Sequence, residues 1–512
     1  MERVREKDLA ANADSLKRLH DEEGMHLSVL QLDDGYTSHW GDWHDSETCP
    51  TKFPSGLRGA AEAARSHSLV PGLWLAPWAA DKGSKIALAH PEWMMRKRRI
   101  RAGAAAWWCR WRALLAAPWK LGLRLAGYPL SMEAVNSGLT HPGKWFYGLD
   151  ATNPQCRTHV AGILRHLARE IGFKFLKLDF LHVAAAAAER HDPTRTRAQA
   201  LQLALRTLRE GAGEDCFILG CSCPLGAAVG WVDAMRVSAD TSHEWFGYPI
   251  PWDKTNLPGG GNMFRNVLVR QVMHGRWWIN NPDCLLLAPP HSHGGERRPV
   301  PVERRHSSER LVAPGVFLEP GGLDLAGQTG GKGISRRVGG GVGQRGVDEA
   351  VGRATLAALC GGLLFLSDQP AMLPSSSLAV VESILPPLTF SLDWRRFSRG
   401  ATTVPFTLPV AQGEESPHAL AVELSGPEGP WVLVGLFNLT NREDARAVAL
   451  SHLPMGRMEE RRAAGGVGGG VTGERSLSPS YDVSDMAMTR CMCVCVCVWI
   501  IKTWPWQGIR AC

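Results

Sequence analysis

FLKLDF, at residues 175–180, decides the fold because it joins a short apolar run to a carboxylate. An apolar run that ends in a polar residue is typical of a buried strand. Lys177 stands two residues before Asp179, so on a strand the two side chains point to the same side. A nearby positive charge favours the ionised form of a carboxyl group. The stretch therefore predicts a strand that ends in an ionised carboxylate.

AMRVSAD, at residues 234–240, repeats this arrangement, with Arg236 four residues before Asp240. A retaining glycosidase needs two carboxylates about 5 Å apart, one as nucleophile and one as general acid and base. An isolated Asp after a strand is more commonly a turn or helix-cap residue. The chemical interpretation of the pair therefore depends on the rest of the chain.

Strand-like apolar runs that end in polar or aromatic residues alternate with helical patterns along the chain. The runs are residues 27–34, 71–78, 173–179, 216–222, 234–240, 277–283 and 362–368, and the helical patterns are 56–68, 197–213 and 263–275. The alternation predicts an α/β fold with a parallel sheet, and the many polar strand ends favour a (β/α)8 TIM-type barrel with its site at the carboxyl face. A doubly wound sheet is the alternative, but no GxGxxG follows the first strand.

Several of these motifs together resemble a known family. In chain order they are LQLDDGY, GDW, KFPSGL, PGLWLAPW, FLKLDF, GCSCPLG, AMRVSAD and NPDCLLL. Their order and spacing are similar to those of the retaining α-galactosidases of glycoside hydrolase family 36. The resemblance implies that Asp179 is the nucleophile and Asp240 the acid and base, at the ends of the fourth and sixth barrel strands.

The same resemblance implies a galactose-binding set around the two carboxylates. Its members are Asp33, Asp34, Trp74, Trp78, Lys177, Cys221 and Arg236. Paired acceptors such as Asp33 and Asp34 would select a sugar with the correct hydroxyl, because a buried carboxylate without its partner is costly. An Asp-Asp-Gly triplet alone is more typical of an ordinary turn. No metal site is predicted, since Cys221 and Cys223 have no second Cys or His pair nearby at zinc spacing.

The predicted domain organisation combines a large barrel with a smaller β domain. Its parts are a barrel at 1–380 with disordered insertions at 97–140 and 288–345, an antiparallel β domain at 381–454, and a disordered low-complexity tail at 455–512. The β domain is predicted from alternating β-forming residues around a Gly-Pro turn at 420–440. The second insertion is too rich in Gly, Arg and His to order itself by burying apolar surface.

The N-terminal segment begins with a polar helical pattern just before the first predicted strand. The resemblance implies a β-sandwich domain and a first barrel strand ahead of this point, so we expect the first strand to be missing and barrel closure to be in question. An inactive truncated remnant is therefore one alternative. No signal peptide is recognisable, so localisation stays open, with the cytoplasm as the default.

Composition excludes some classes of function. With 512 residues and 44% hydrophobic content, the chain can bury a substantial core. The net charge of +7 is concentrated in the two predicted insertions, so no nucleic-acid partner is expected. The apolar run at 491–501 is too short to span a bilayer. The family resemblance implies a retaining exo-α-galactosidase that acts on galacto-oligosaccharides without a cofactor, with a raffinose- or stachyose-synthase-type galactosyltransferase as the alternative.

Overall fold

The computed structural model describes part of the chain, in two compact units. The described residues are 4–97, 134–136, 145–242, 259–287, 350–358, 362–385, 406–407, 419–426, 429–437, 496–502 and 510–511. The first unit comprises Met1–Arg236 and Trp277–Ile279, and the second Val237–Arg276 and Asn280–Cys512. The predicted insertion at 288–345 lies outside the described residues, as does most of that at 97–140.

A parallel sheet forms the centre of the first unit. The strands of this unit are β1 (Val29–Leu32), β2 (Val70–Leu75), β3 (Ala79–Ala80), β4 (Arg96–Lys97), β5 (Ala134–Asn136), β6 (Trp145–Gly148), β7 (Phe175–Leu178), β8 (Ala188–Glu189), β9 (Phe217–Gly220) and β10 (Ala234–Arg236). Five of them pair in parallel in the order β1-β2-β7-β9-β10. These five come from the first five predicted runs, so the α/β fold with a parallel sheet is confirmed.

Burial explains why these runs form strands. From its second residue onward every residue of β2 is buried, and so is every residue of β7. Strands that are apolar on both faces belong in a sheet whose two faces are covered. The register sets Trp74 of β2 beside Lys177 of β7, and Lys177 beside Leu219 of β9. The polar residues that follow the strands therefore meet at one edge of the sheet.

Three described helices of the first unit lie where the sequence predicts helical patterns, at the N-terminal end, at 56–68 and at 197–213, and the other three were not predicted. The described helices of this unit are α1 (Glu6–Glu23), α2 (Gly56–Arg65), α3 (Lys85–Ala89), α4 (Pro154–Arg165), α5 (Arg197–Ala212) and α6 (Leu225–Ala228). A capping box starts α5, since the Thr196 side chain accepts from the Gln199 N–H and the Gln199 side chain accepts from the Thr196 N–H. Gly213, with φ of 86°, follows its last residue. Beyond Arg165 the chain continues as a π-helical segment, His166–Ile171.

The second unit contains one further parallel pair and an antiparallel sheet. Strand β11 (Ile279–Asn281) begins at the end of the first unit and continues into the second. The further described strands of the second unit are β12 (Cys284–Leu285), β13 (Phe365–Leu366), β14 (Phe406–Thr407), β15 (Ala419–Gly426), β16 (Gly429–Phe437), β17 (Val496–Lys502) and β18 (Arg510–Ala511). Its described helices include α7 (Gly260–Arg270) and α8 (Ser375–Ser383), and residues 350–358 are also helical. The last run, 362–368, supplies β13, which pairs in parallel with β12. Strands β14 to β18 pair in chain order, all antiparallel.

The strands β15 and β16 coincide with the antiparallel pattern predicted at 420–440. The tail predicted at 455–512 contains β17, where alternating Cys and Val residues match the period of a strand. Among the described residues, no helix combines the length and apolar content needed to cross a bilayer.

Candidate active site

Asp179 follows the last residue of β7 and is buried at the carboxyl edge of the parallel sheet. Its backbone N–H donates to Leu75 O at 2.9 Å, which extends the ladder to β2 by one residue. The Phe180 N–H donates to Asp179 Oδ1 at 2.6 Å, and the Trp74 indole Nε1 donates to Oδ2 at 3.2 Å. Each carboxylate oxygen is therefore held by its own hydrogen bond, one from a backbone N–H and one from an indole N–H.

The Asp179 carboxylate is held in its ionised form. Burial by itself raises the pKa of this group, but the charge of Arg236 and then that of Lys177 outweigh it. Hydrogen bonds from Ser222 and from the Phe180 N–H act in the same direction, so the pKa lies below the ordinary value of 3.8. A buried carboxylate that stays charged at neutral pH suits a nucleophile.

Asp33 forms the main ion pair of this edge. Lys177 Nζ lies 2.8 Å from Asp33 Oδ2, and the side chains are 7% and 32% exposed. The Gln31 Nε2 donates to the same oxygen at 2.7 Å, and the Asp34 N–H donates to Oδ1 at 2.9 Å. The Lys177 ammonium thus contacts Asp33 directly while its charge also lowers the pKa of Asp179.

Asp34 is buried against an aromatic cluster. The Trp40 indole Nε1 donates to Asp34 Oδ1 at 3.0 Å. The Trp40 ring lies 5.4 Å from Trp74, 5.3 Å from Phe146 and 5.0 Å from Phe180, measured between ring centroids. Aromatic rings at this spacing stabilise one another and fix the direction of the indole N–H groups. The cluster therefore orients two hydrogen-bond donors, one toward Asp34 and one toward Asp179.

Two predicted pocket residues are deeply buried. Trp78 is 0% exposed, and among the described residues its Nε1 has no hydrogen-bond partner. Cys221 is also buried, and its backbone N–H donates to Leu178 O at 2.8 Å. Direct contact between Trp78 and a bound sugar would require neighbouring residues to move. Trp74, by contrast, contacts the Asp179 carboxylate directly.

Arg236 and Asp240 lie on either side of the division between the units. Arg236 is the last residue of β10, is partly buried and acts on the pKa of Asp179 within the first unit. Asp240 belongs to the second unit, where its backbone carbonyl accepts from the Gly259 N–H at 3.0 Å. Its side chain is partly buried. The pairing of Asp240 with Asp179 stays a prediction.

Three residues that contribute to this edge were missed by the sequence analysis. Gln31 stands inside LQLDDGY, two residues before Asp33, and strand period alone places it on the same side. Trp40 reaches Asp34 only through the loop after β1, so no local pattern indicates it. Ser222 adopts a left-handed backbone, with φ of 49°, directly after Cys221. That conformation is unusual for a Ser, and the flanking residues in the sequence do not predict it.

Comparison with known proteins supports a link to α-galactosidases. No family model matches the chain. A stretch of 77 residues is 34% identical to α-galactosidase 2 of Pediococcus pentosaceus, which amounts to 14% of this chain and 10% of that protein. This match confirms, over that stretch, the resemblance predicted from the motifs.

Solved structures with similarity to the chain include two bacterial enzymes. The α-galactosidase TtGalA of Thermus thermophilus, in complex with p-nitrophenyl α-D-galactopyranoside, is 23% identical with a TM-score of 0.49, over 75% of this chain and 59% of that one. The glycoside hydrolase family 36 α-galactosidase AgaA of Geobacillus stearothermophilus is 11% identical with a TM-score of 0.46, over 88% of this chain and 48% of that one. The chain thus spans less than two thirds of each of these relatives.

Proposed function

We propose that this chain is a retaining exo-α-galactosidase that removes terminal α-galactosyl residues from galacto-oligosaccharides. The observation that carries the proposal is the buried Asp179 carboxylate, fixed by Trp74 and kept ionised by Arg236 and Lys177 at the carboxyl edge of a parallel sheet. Active sites of α/β folds form at this edge. The 77-residue match to a protein described as an α-galactosidase supports the choice of sugar.

The proposed reaction is a double displacement. Asp179 attacks the anomeric carbon while Asp240 protonates the leaving oxygen, which breaks the glycosidic bond and forms a galactosyl ester of Asp179. Asp240, now deprotonated, then takes a proton from water, and the water oxygen attacks the anomeric carbon and releases Asp179. Neither step needs a metal or an organic cofactor, because the Asp240 side chain transfers the proton in both.

The remaining predicted residues take binding roles in this proposal. Two protein donors already occupy Asp33 Oδ2, from Lys177 and Gln31, so this carboxylate is preorganised to accept a sugar hydroxyl. Asp34, held by Trp40, would accept a second hydroxyl. We further propose that the five-stranded parallel arrangement forms part of a (β/α)8 barrel, and that the antiparallel sheet belongs to a C-terminal β domain.

Hydrolysis of p-nitrophenyl α-galactoside by the full chain tests this function. We expect release of nitrophenol from the α-galactoside and none above background from the β-galactoside or the α-glucoside. Product analysis with galactinol and sucrose distinguishes hydrolysis from galactosyl transfer, since a transferase would form a trisaccharide. A folded protein with no activity on any α-galactoside would contradict the proposal.

Replacing Arg236 by Leu should shift the low-pH limb of the kcat/KM profile to higher pH. Arg236 is the strongest influence that lowers the pKa of Asp179, so its loss lets the effect of burial raise that pKa. The nucleophile must be deprotonated to react, so the low-pH limb of kcat/KM should shift to higher pH. The limb position, measured between pH 3 and pH 8 on an aryl α-galactoside, is the readout because a binding defect alone lowers the profile without shifting it.

Arg206→Leu is the matched control for this experiment, because Arg206 is exposed on α5 and pairs with Glu210. Its profile should overlay that of the parent chain. An unshifted acid limb in the Arg236 variant would remove Arg236 from its assigned role.

A further inference from the structure

A cluster of two histidines and one aspartate lies on the first unit, in a region that the proposed reaction does not use. His44 and Asp45 stand in the loop after β1, and His166 begins the π-helical segment after α4. His166 Nε2 lies 3.0 Å from Asp45 Oδ1, and His44 Nδ1 lies 2.8 Å from the same oxygen. One ligand atom from each of the three residues falls within 4.8 Å of the others. We propose that His44, Asp45 and His166 form a binding site for a zinc-type divalent cation.

The ligand types and spacing fit such an ion. Zinc binds imidazole nitrogen and carboxylate oxygen at about 2.0–2.2 Å, so two ligands on one ion lie about 3 Å apart. The separation of 3.0 Å between His166 Nε2 and Asp45 Oδ1 agrees with that spacing, and His44 lies beside them as the third ligand once its ring turns. All three side chains are at least partly accessible, which leaves room for water in the remaining coordination positions.

A carboxylate behind His166 is the second observation that points to a metal. Glu170 Oε2 lies 2.7 Å from His166 Nδ1. In metal sites the ring nitrogen that does not bind the ion commonly donates to a carboxylate, which fixes the tautomer and the ring direction. When Nδ1 of the neutral ring donates to Glu170, Nε2 carries the lone pair that would bind an ion on the side that faces Asp45.

The charges around the cluster are compatible with a bound cation. Glu47 and Glu170 add two further carboxylates, since the His44 N–H donates to Glu47 Oε2. Arg58 and Lys85 oppose them. Arg58 Nε lies 3.6 Å from Asp45 Oδ2 and Lys85 Nζ lies 3.6 Å from Glu47 Oε1, and both side chains are largely exposed and can turn away.

One side chain has to move for the ion to bind. The rings of His44 and His166 are stacked, with centroids 4.2 Å apart and planes 7° from parallel. An imidazole lone pair lies in the plane of its ring, so two stacked rings cannot both point at one ion. His44 is 42% exposed and can leave the stack, whereas Glu170 holds His166 in place.

An ion at this position would join the loop that carries Trp43 to the end of α4. Trp43 directly precedes His44, and its ring packs 5.9 Å from Trp74, the residue that donates to Asp179. A bound ion would therefore hold in place the loop whose Trp43 packs against Trp74. This inference stands on its own geometry and is independent of the proposed hydrolysis.

Equilibrium dialysis of the full chain against zinc chloride, followed by metal analysis, tests the site. The matched control is His67→Gln, because His67 Nε2 also pairs with an aspartate oxygen, that of Asp14 at 2.8 Å. Cysteines elsewhere in the chain can bind zinc, so the readout is the difference between variants. We expect the parent chain and His67→Gln to bind one equivalent more than His166→Gln.

Two further variants keep the test decisive. Glu170→Gln leaves the three ligands in place, so it should keep the stoichiometry but weaken binding by about 10–100-fold. Asp45→Asn, which preserves the shape of the side chain, replaces His166→Gln if circular dichroism shows that the latter fails to fold. Cobalt in place of zinc should give visible absorption that Asp45→Asn loses. Equal zinc stoichiometry in the parent chain and the folded ligand variant would show a hydrogen-bonded cluster only, and would overturn the proposal.

Discussion

Asp179→Asn should lower kcat on p-nitrophenyl α-galactoside by about 10⁴-fold or more, the scale of loss found when an enzyme loses its nucleophile. An amide of the same shape has a single acceptor oxygen, so it keeps only one of the hydrogen bonds donated by Trp74 and by the Phe180 N–H, and it cannot form the galactosyl ester. It also leaves the charges of Arg236 and Lys177 without the carboxylate that they face. The loss should therefore fall on chemistry, while circular dichroism and substrate binding change little.

Azide separates a nucleophile from a residue that only shapes the site. In Asp179→Ala, azide can enter the space left by the carboxylate and attack the anomeric carbon, which would give a β-galactosyl azide and restore turnover of the activated substrate. Asp215→Asn is the control, since Asp215 is exposed and pairs with Lys174 at 2.6 Å. Residual activity close to that of the parent chain would refute the assignment of Asp179.

Arg209→Met should lower the free energy of unfolding of the first unit by about 3–5 kcal/mol, the usual cost of breaking a buried ion pair from one side. The Arg209 guanidinium lies 2.7 Å from Asp233 Oδ2, and the side chains are only 9% and 13% exposed. Arg209 also donates to the backbone carbonyls of Cys216 and Trp231. Met fills a similar volume but leaves one buried carboxylate and three backbone carbonyls, those of Gly213, Cys216 and Trp231, without these donors.

Urea unfolding followed by circular dichroism measures this loss. The control is Arg206→Met on the same helix, because Arg206 is 64% exposed and its pair with Glu210 is a surface contact. Exposed pairs of this kind contribute about 0.5 kcal/mol or less. Similar losses in the two variants would show that the contacts of Arg209 with the strands do not stabilise the unit.

The sequence was sufficient for the parts of the fold that depend on local pattern. Apolar runs located β1, β2, β7, β9 and β10, although each strand is shorter than its run. Helix α5 was predicted to within one residue, since Thr196 and Gln199 mark its start and Gly213 its end. These features are set by neighbours a few residues apart.

Contacts between distant residues were beyond sequence reasoning. Strand period placed Lys177 on the side of Asp179, but its ion pair is with Asp33, 144 residues earlier, and depends on the order of strands in the sheet. The cluster of His44, Asp45 and His166 joins residues 121 positions apart. The family resemblance implied that Trp78 lines the pocket, and only the packing around it shows how deeply it is buried.

The backbone of Phe180 restricts how this chain can evolve. Its φ of 53° lies in the left-handed region, which costs a bulky residue of the order of 1–3 kcal/mol. Gly would remove that cost but also the ring beside Trp40, and Asn would tolerate the backbone while placing an amide among aromatic rings. A β-branched residue would keep the cost of the left-handed backbone and would also lose the aromatic ring beside Trp40. The position after the proposed nucleophile therefore accepts few mutations, and neutral drift through it should be rare even where the surrounding sequence diverges.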